Sequence, residues 1–294
     1  MAKQRPSVAE RASKALTARP RIGLALGAGA ARGLAHIVVL EAFDEIGVKP
    51  AVIAGASMGA LIGAAHASGI AAAELREHVL GVLGDVRLAA KRIFQSGGVR
   101  APLDLLNFSF SRPLEIDGAA LVELFAHEDL KARIEDMDIP LRVVAADYYA
   151  AEEVVFDGGD TRAVLAASIA VPGLISAPEI DGRLLIDGGI INPVPFDHVR
   201  AAGCDLVIGV DVTGQPVKGR RAPGSMELVL GASQIMQQAI STLKRRLEPP
   251  DVWIRPPVNG FRAYDLTKAK DILAAAEPAR EDMRRVLAAV MERM

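Results

Sequence analysis

A chain of 294 residues, 51% apolar and 24% charged, can bury a large core and has the composition of a globular protein rather than a disordered or fibrous one. The formal net charge of −2 argues against a general nucleic-acid binder. With Cys204 as the single cysteine, no disulfide can form within the chain and no cysteine metal cluster exists, which points to a reducing cytoplasm.

In chain order, residues 1–20 read as a flexible basic extension. Lys3, Arg5, Arg11, Lys14 and Arg19 face one acid, Glu10. The apolar run at 22–31 superficially resembles a signal-peptide core, but Gly27, Gly29 and Gly33 punctuate it as a turn. The extension is read as a frayed, solvated tail, with contact to anionic lipid as the alternative. Ile22–Leu26 is the first expected strand, and a helix follows from about Ala35 to Ile46, stopped by Gly47. A second strand at 51–54 leads into a helix rich in small residues at 60–66.

Residues 81–115 break the pattern, with Phe94, Leu103, Leu105, Leu106, Phe108 and Phe110 set among Gly97, Gly98, Pro102 and Pro113. Core packing is the commoner explanation, and a lid or a wall of an acyl-chain cleft the alternative. Further strands are expected at 141–145, 153–156, 184–186 and 206–210. Cys204, just ahead of the last of these, reads as buried filler. Short apolar runs alternating with helices predict an α/β fold around a mostly parallel sheet.

Toward the C-terminus, Met226, Leu228, Val229, Ile235, Met236, Ala239, Ile240 and Leu243 recur at helical spacing and end in Lys244, Arg245 and Arg246. This helix is expected to pack on the sheet, with a membrane-surface helix as the alternative. Residues 266–294 form a last helical region that Pro278 is expected to break or kink. The organisation expected is an extension at 1–20, a catalytic domain at 21–213 and a helical region at 214–294 packed on that domain.

The chemistry centres on Gly55-Ala56-Ser57-Met58-Gly59, a G-x-S-x-G pattern with a strand before it and a helix behind it. That context puts the serine on a tight turn at a helix N-terminus, where the dipole and free N–H groups favour a developing oxyanion. The rival is a membrane span, since residues 50–73 carry no Asp, Glu, Lys or Arg, and Gly55, Gly59 and Gly63 repeat a small-xxx-small spacing. Ala and Gly dominate the stretch, however, and Ser57, His66 and Ser68 interrupt it, so the elbow is favoured.

A glycine-rich turn, Gly27 to Gly33, leaves the first strand and opens a helix, which suits backbone N–H groups for an oxyanion. It matches neither phosphate-loop pattern. Of the five histidines, His36, His66 and His78 read as structural and His127 sits in a charged stretch. His198 alone follows a suitable acid in the order Ser57–Asp187–His198. Asp187 is itself a candidate base, at a strand end before Gly188 and Gly189. Its unperturbed pKa of about 3.9 would have to rise for efficient proton transfer. An ordinary Asp-Gly turn is the alternative.

At these residues the chain resembles the patatin-like phospholipases, particularly compact bacterial members. The match runs from about Ile22 to Val212 through Gly27–Gly33, Gly55–Gly59, Ser168-Ile169-Ala170-Val171-Pro172-Gly173, and Asp187-Gly188-Gly189 followed by Asn192-Pro193. The resemblance implies a three-layer α/β/α patatin-like fold and a Ser57–Asp187 dyad without histidine. It implies an oxyanion hole from Gly27, Gly29, Ala30 and Gly33 supported by Arg32, with Gly55, Gly59, Gly188 and Gly189 shaping the turns. It further implies hydrolysis of lipid acyl esters with no metal or other cofactor; a transient membrane-surface contact is left open by the basic extension and the amphipathic helix near the C-terminus. Family members often carry a fuller glycine run where this chain has Ala28 and Ala30, and an amide donor survives that exchange less readily where φ is positive. An acyltransferase using the same serine, or a weakly catalytic lipid-binding regulator, is the alternative function.

Overall fold

The computed structural model describes residues 20–84, 116–216, 218 and 222–292. Residues 1–19 of the basic extension, and most of residues 81–115, read as core or as a lid or wall of an acyl-chain cleft and including Phe108 and Phe110, lie outside them.

The first half runs β1 (Ile22–Leu26), a 3-10 turn (Ala30–Leu34), α1 (Ala35–Ile46), β2 (Val52–Ala56), α2 (Met58–Ala67), α3 (Ala72–Gly84) and α4 (Gly118–Phe125). The second half runs β3 (Leu141–Asp147), β4 (Glu152–Phe156), α5 (Thr161–Ser168), β5 (Glu179–Ile180), β6 (Arg183–Asp187), α6 (Phe196–Ala201), β7 (Leu206–Val210), α7 (Ser225–Leu247), β8 (Val252–Ile254) and α8 (Ala269–Met291). Strand order is β5-β6-β3-β2-β1-β7-β8, with β4 also paired to β3. The pairs β1/β2, β1/β7, β2/β3 and β7/β8 are parallel, while β4 and β6 run antiparallel to β3.

Every residue of β1 and β2 is buried, as a parallel sheet covered on both faces requires. Alternation along the strands sorts the core into two faces. Leu24, Leu26, Ile53 and Ile208 join α1, α2, α5 and α8 on one side. Ala25, Ala54 and Val207 meet Val194, Phe196 and Val199 on the other. The result is a three-layer α/β/α arrangement.

Gly47 ends α1 at φ 72°, in the left-handed region where glycine is at ease. Glu41 of α1, nearly buried, is held bidentately by Arg76 of α3, with both N–O distances 2.6 Å, and Arg76 also reaches Glu277 of α8 at 2.9 Å. Arg280 of α8 pairs with Glu45, so three helices are stapled by charge as well as by apolar packing.

Three elements depart from expectation. Pro278 lies inside α8, which continues through it. Pro278 and Ala274, whose carbonyl would have accepted the missing N–H, both face solvent, so water can serve that carbonyl while Ile272, Leu273, Met283 and Leu287 anchor the helix. Cys204 is half-buried at the edge of the smaller core rather than sealed in it. Leu228, Val229, Ile235, Met236, Leu243 and Leu247 of α7 do not pack on the sheet but face outward, because the side of that helix turned to the protein carries Gln237, Gln238 and Ser241. Among the described residues no helix is long and apolar enough to cross a membrane.

Candidate active site

β2 ends at Ala56 and α2 begins at Met58, leaving Ser57 alone on the turn at φ 55° and ψ −125°. A non-glycine residue there is strained by about 1–3 kcal/mol, and the packing around it must hold the conformation. Gly59 is part of that packing, since a Cβ there would overlap the Leu26 carbonyl at the end of β1. Gly55 lies against Ala60, and Ser57 returns its own carbonyl to the amides of Ala60 and Leu61 at 2.9 and 3.1 Å.

The register of β3 brings the second residue to the first. Val144 pairs with Ala56 of β2 on one side and Val155 of β4 on the other, whereas Ala145 pairs with Val154 of β4 and Asp187 of β6. β6 therefore takes over the edge of β3 where β2 leaves off, and Asp187 arrives beside the serine turn. Ser57 Oγ donates to Asp187 Oδ2 at 2.6 Å, and the Gly189 N–H donates to Asp187 Oδ1 at 2.7 Å. Gly188 packs against the Val144 carbonyl. Ser57 and Asp187 are only 6% and 3% exposed. Burial pushes the Asp187 carboxyl up to about 6, against the lowering effect of its two donors. A carboxylate with that affinity for protons, in contact with a hydroxyl, can act as a general base near neutral pH.

The glycine-rich turn lies at the end of β1, beside β2. Its amides at Gly27, Ala28, Ala31 and Arg32 are spent on Val210, Pro193, Ala263 and Gly29 carbonyls. Among the described residues, the amides of Gly29 and Ala30 have no acceptor. Gly29 is extended, and a Cβ there would meet the Val212 carbonyl at 2.7 Å. Ala30 sits at φ 48°, in the left-handed region, while Ala28 does not. The donor at Ala30 is thus kept at the expense of local strain.

Arg32 is buried. Its Nε and Nη1 donate to the Val212 and Phe261 carbonyls at 3.1 and 3.0 Å, which ties the turn to the C-terminal region. Burial lowers its pKa to about 10 against the raising charges of Asp211 and Asp265, so it stays cationic. Gly33 gives room to Met58.

His198 lies elsewhere. Its Nε2 donates to Glu153 at 2.8 Å, and Asn192 Nδ2 donates to Glu153 and Asp197 at 2.7 and 3.0 Å. Lys244 completes the group by pairing with Asp197 at 2.7 Å. These partners pin the chain just after Asp187. His36 donates to the Gly27 carbonyl at 2.8 Å, and burial lowers its pKa to about 4, so it braces the glycine-rich turn as a neutral ring.

Ser168 carries a role that local pattern did not reveal. Its hydroxyl, wholly buried at the end of α5, accepts the Ser57 N–H at 2.9 Å and donates to the Val144 carbonyl at 2.7 Å. The partners are 111 and 24 residues away, so only the folded sheet joins them. Ser168→Ala is expected to lower kcat for a soluble ester by about 10–100-fold with little change in KM, and to cost about 1–3 kcal/mol of stability through the orphaned amide. An unchanged kcat in steady-state assays would show that the elbow holds without this clamp.

Strand order, layers and turns together are those of the patatin fold. The chain belongs to the patatin-like phospholipase family, whose model matches residues 24–200. It is similar to an uncharacterized NTE family protein of Mycobacterium tuberculosis, 38% identical over 195 residues, which covers 66% of this chain and 50% of that protein. It is also similar to Lysophospholipase NTE1 of Saccharomyces cerevisiae, 24% identical over 276 residues, or 85% of this chain and 16% of that one. Among solved structures, VipD from Legionella pneumophila aligns over 92% of this chain and 67% of its own at 15% identity and a TM-score of 0.46. The chain spans about half the length of the mycobacterial relatives it matches.

Proposed function

We propose that this chain hydrolyses acyl esters of lipids, as a phospholipase, lysophospholipase or carboxylesterase, through a Ser57–Asp187 dyad and an acyl-enzyme. The observation that carries this reading is the direct 2.6 Å hydrogen bond from Ser57 Oγ to Asp187, while His198 is engaged by Glu153. Family membership and the lysophospholipase relative support the substrate class.

In the first step Asp187 takes the hydroxyl proton as Ser57 Oγ attacks the ester carbonyl carbon, and the negative charge on the carbonyl oxygen is received by the amides of Gly29 and Ala30. The protonated Asp187 then gives its proton to the departing alcohol as the C–O bond breaks. Water attacks the acyl-enzyme with Asp187 again as base, and the fatty acid leaves as Ser57 recovers its proton. The Gly189 N–H holds the carboxylate in line through both halves.

A fluorophosphonate probe is expected to label Ser57 alone, as read by peptide mass spectrometry, and to abolish p-nitrophenyl ester hydrolysis in step with labelling. Full turnover after complete labelling, or a label on another serine, would sink this reading.

A further inference from the structure

α7 is amphipathic the wrong way round for a helix of a water-soluble surface. Leu228, Val229, Ile235, Met236, Leu243 and Leu247 are each 57–77% exposed and recur on one face. Residues 228–243 contain no charged side chain. Single exposed apolar residues are ordinary, but six on one helix face form a patch of the kind that marks an interaction site.

The opposite face is polar and turned inward. Gln238 donates to the Thr213 and Gly214 carbonyls, both at 3.3 Å, and Gln237 donates to Ser233 at 3.4 Å. Gln237 also lies over Gly189, 3.3 Å from where a Cβ would sit, and Gly189 is the residue whose N–H holds Asp187. One face of α7 therefore borders the catalytic turn while the other is bare hydrocarbon.

The geometry points to α7 as a lipid-docking helix, which lies in the headgroup region of an anionic bilayer with its apolar face down and brings the mouth of the Ser57–Asp187 site to the surface. This rests on the lipid-ester reading above. Charge at the end of the helix fits that occupant. Arg245 and Arg246 are exposed beyond the uncharged stretch, and helical spacing puts Arg246 on the same side as Leu228, Ile235 and Leu243, where a cation suits an anionic headgroup.

A second copy of the chain is the rival occupant, and area argues against it. A helix of 23 residues is about 34 Å long and about 10 Å wide, so its face offers roughly 340 Å². A stable protein interface needs about 800 Å² per partner. A lipid surface has no such threshold.

The test uses the full chain with sonicated vesicles of equimolar phosphatidylcholine and phosphatidylglycerol. The chain and its Ser57→Ala variant are both expected to float with the vesicles. The double substitution Ile235→Glu and Met236→Glu is expected to reduce that partitioning at least about tenfold. It should leave the melting temperature and the hydrolysis of p-nitrophenyl butyrate unchanged, because both side chains point away from the site. Leu243→Glu serves as a second variant at the other end of the stripe.

Docking is overturned if the wild-type chain stays with the soluble fraction, or if the charged variants float as well as wild type. It is also overturned if sedimentation finds a wild-type dimer that the variants convert to monomer. Because Ser57→Ala removes chemistry and the α7 variants remove partitioning, failure of the catalytic reading and failure of the docking surface give different results.

Discussion

Replacing Ser57 by alanine is expected to lower the turnover of a p-nitrophenyl ester by about 10⁴–10⁶-fold, the scale seen when a serine hydrolase loses its nucleophile. The fold should persist, because alanine meets the same penalty as serine at φ 55° and the amide keeps its bond to Ser168. The substitution also removes the hydroxyl that holds the Asp187 pKa down, so that carboxyl should titrate higher in the variant than in the wild type. Steady-state assays, with circular dichroism to verify the fold, check the result. Near-wild-type turnover by the purified variant would place the chemistry on another residue.

Asp187→Asn is expected to abolish turnover about as fully, and the double variant should be no worse than either single one, since nucleophile and base act as one unit. His198→Ala should cost little by comparison. In the wild type, kcat/KM should rise along one limb with an apparent pKa near 6, as Asp187 loses its proton and becomes able to act as base.

Stability should move the other way. Burial raises the Asp187 pKa from its ordinary 3.8 to about 6, so the native state holds its proton more tightly than the unfolded chain does. The stabilisation this gives is fully present below the unfolded value and is lost as pH rises through about 6. Asn, which never ionises, avoids the cost of a buried charge. Asp187→Asn is therefore expected to gain roughly 1–3 kcal/mol at pH about 8 and little at pH about 4. Chemical denaturation at the two pH values checks this, and an equal effect at both would show that the burial of charge is not what limits the site.

Ser57 and Asp187 were both legible one at a time. Each sits where an apolar run meets small residues, and that local rule needs no knowledge of the rest of the chain. The glycine-rich turn was legible for the same reason, but which of its amides stay free was not. Gly27, Ala28, Ala31 and Arg32 lose theirs to Val210, Pro193, Ala263 and Gly29, and three of these acceptors are remote in sequence.

α7 was legible as an amphipathic helix, and its hydrophobic period says which residues share a face. Period alone does not say which face meets the protein, and here the polar one does, because the residues it borders are Asp187's own turn and the carbonyls at 213 and 214. Pro278 was legible as a helix breaker by propensity, yet packing of α8 on α1 overrides that when the orphaned carbonyl faces water.

Local sequence, then, determined the elements of this protein and singled out Ser57 and Asp187 as its candidate reactive side chains, since strand, turn and helix signals act over a few residues. The tertiary structure decided what those side chains can do. The contact of Ser57 with Asp187 depends on β6 replacing β2 along one edge of β3, 130 residues apart in the chain. The basicity of Asp187 depends on burial by elements remote from it in sequence, and the poise of Ser57 on a hydroxyl from α5. Register, burial and long-range hydrogen bonds are properties of the packed molecule, and no window of sequence contains them.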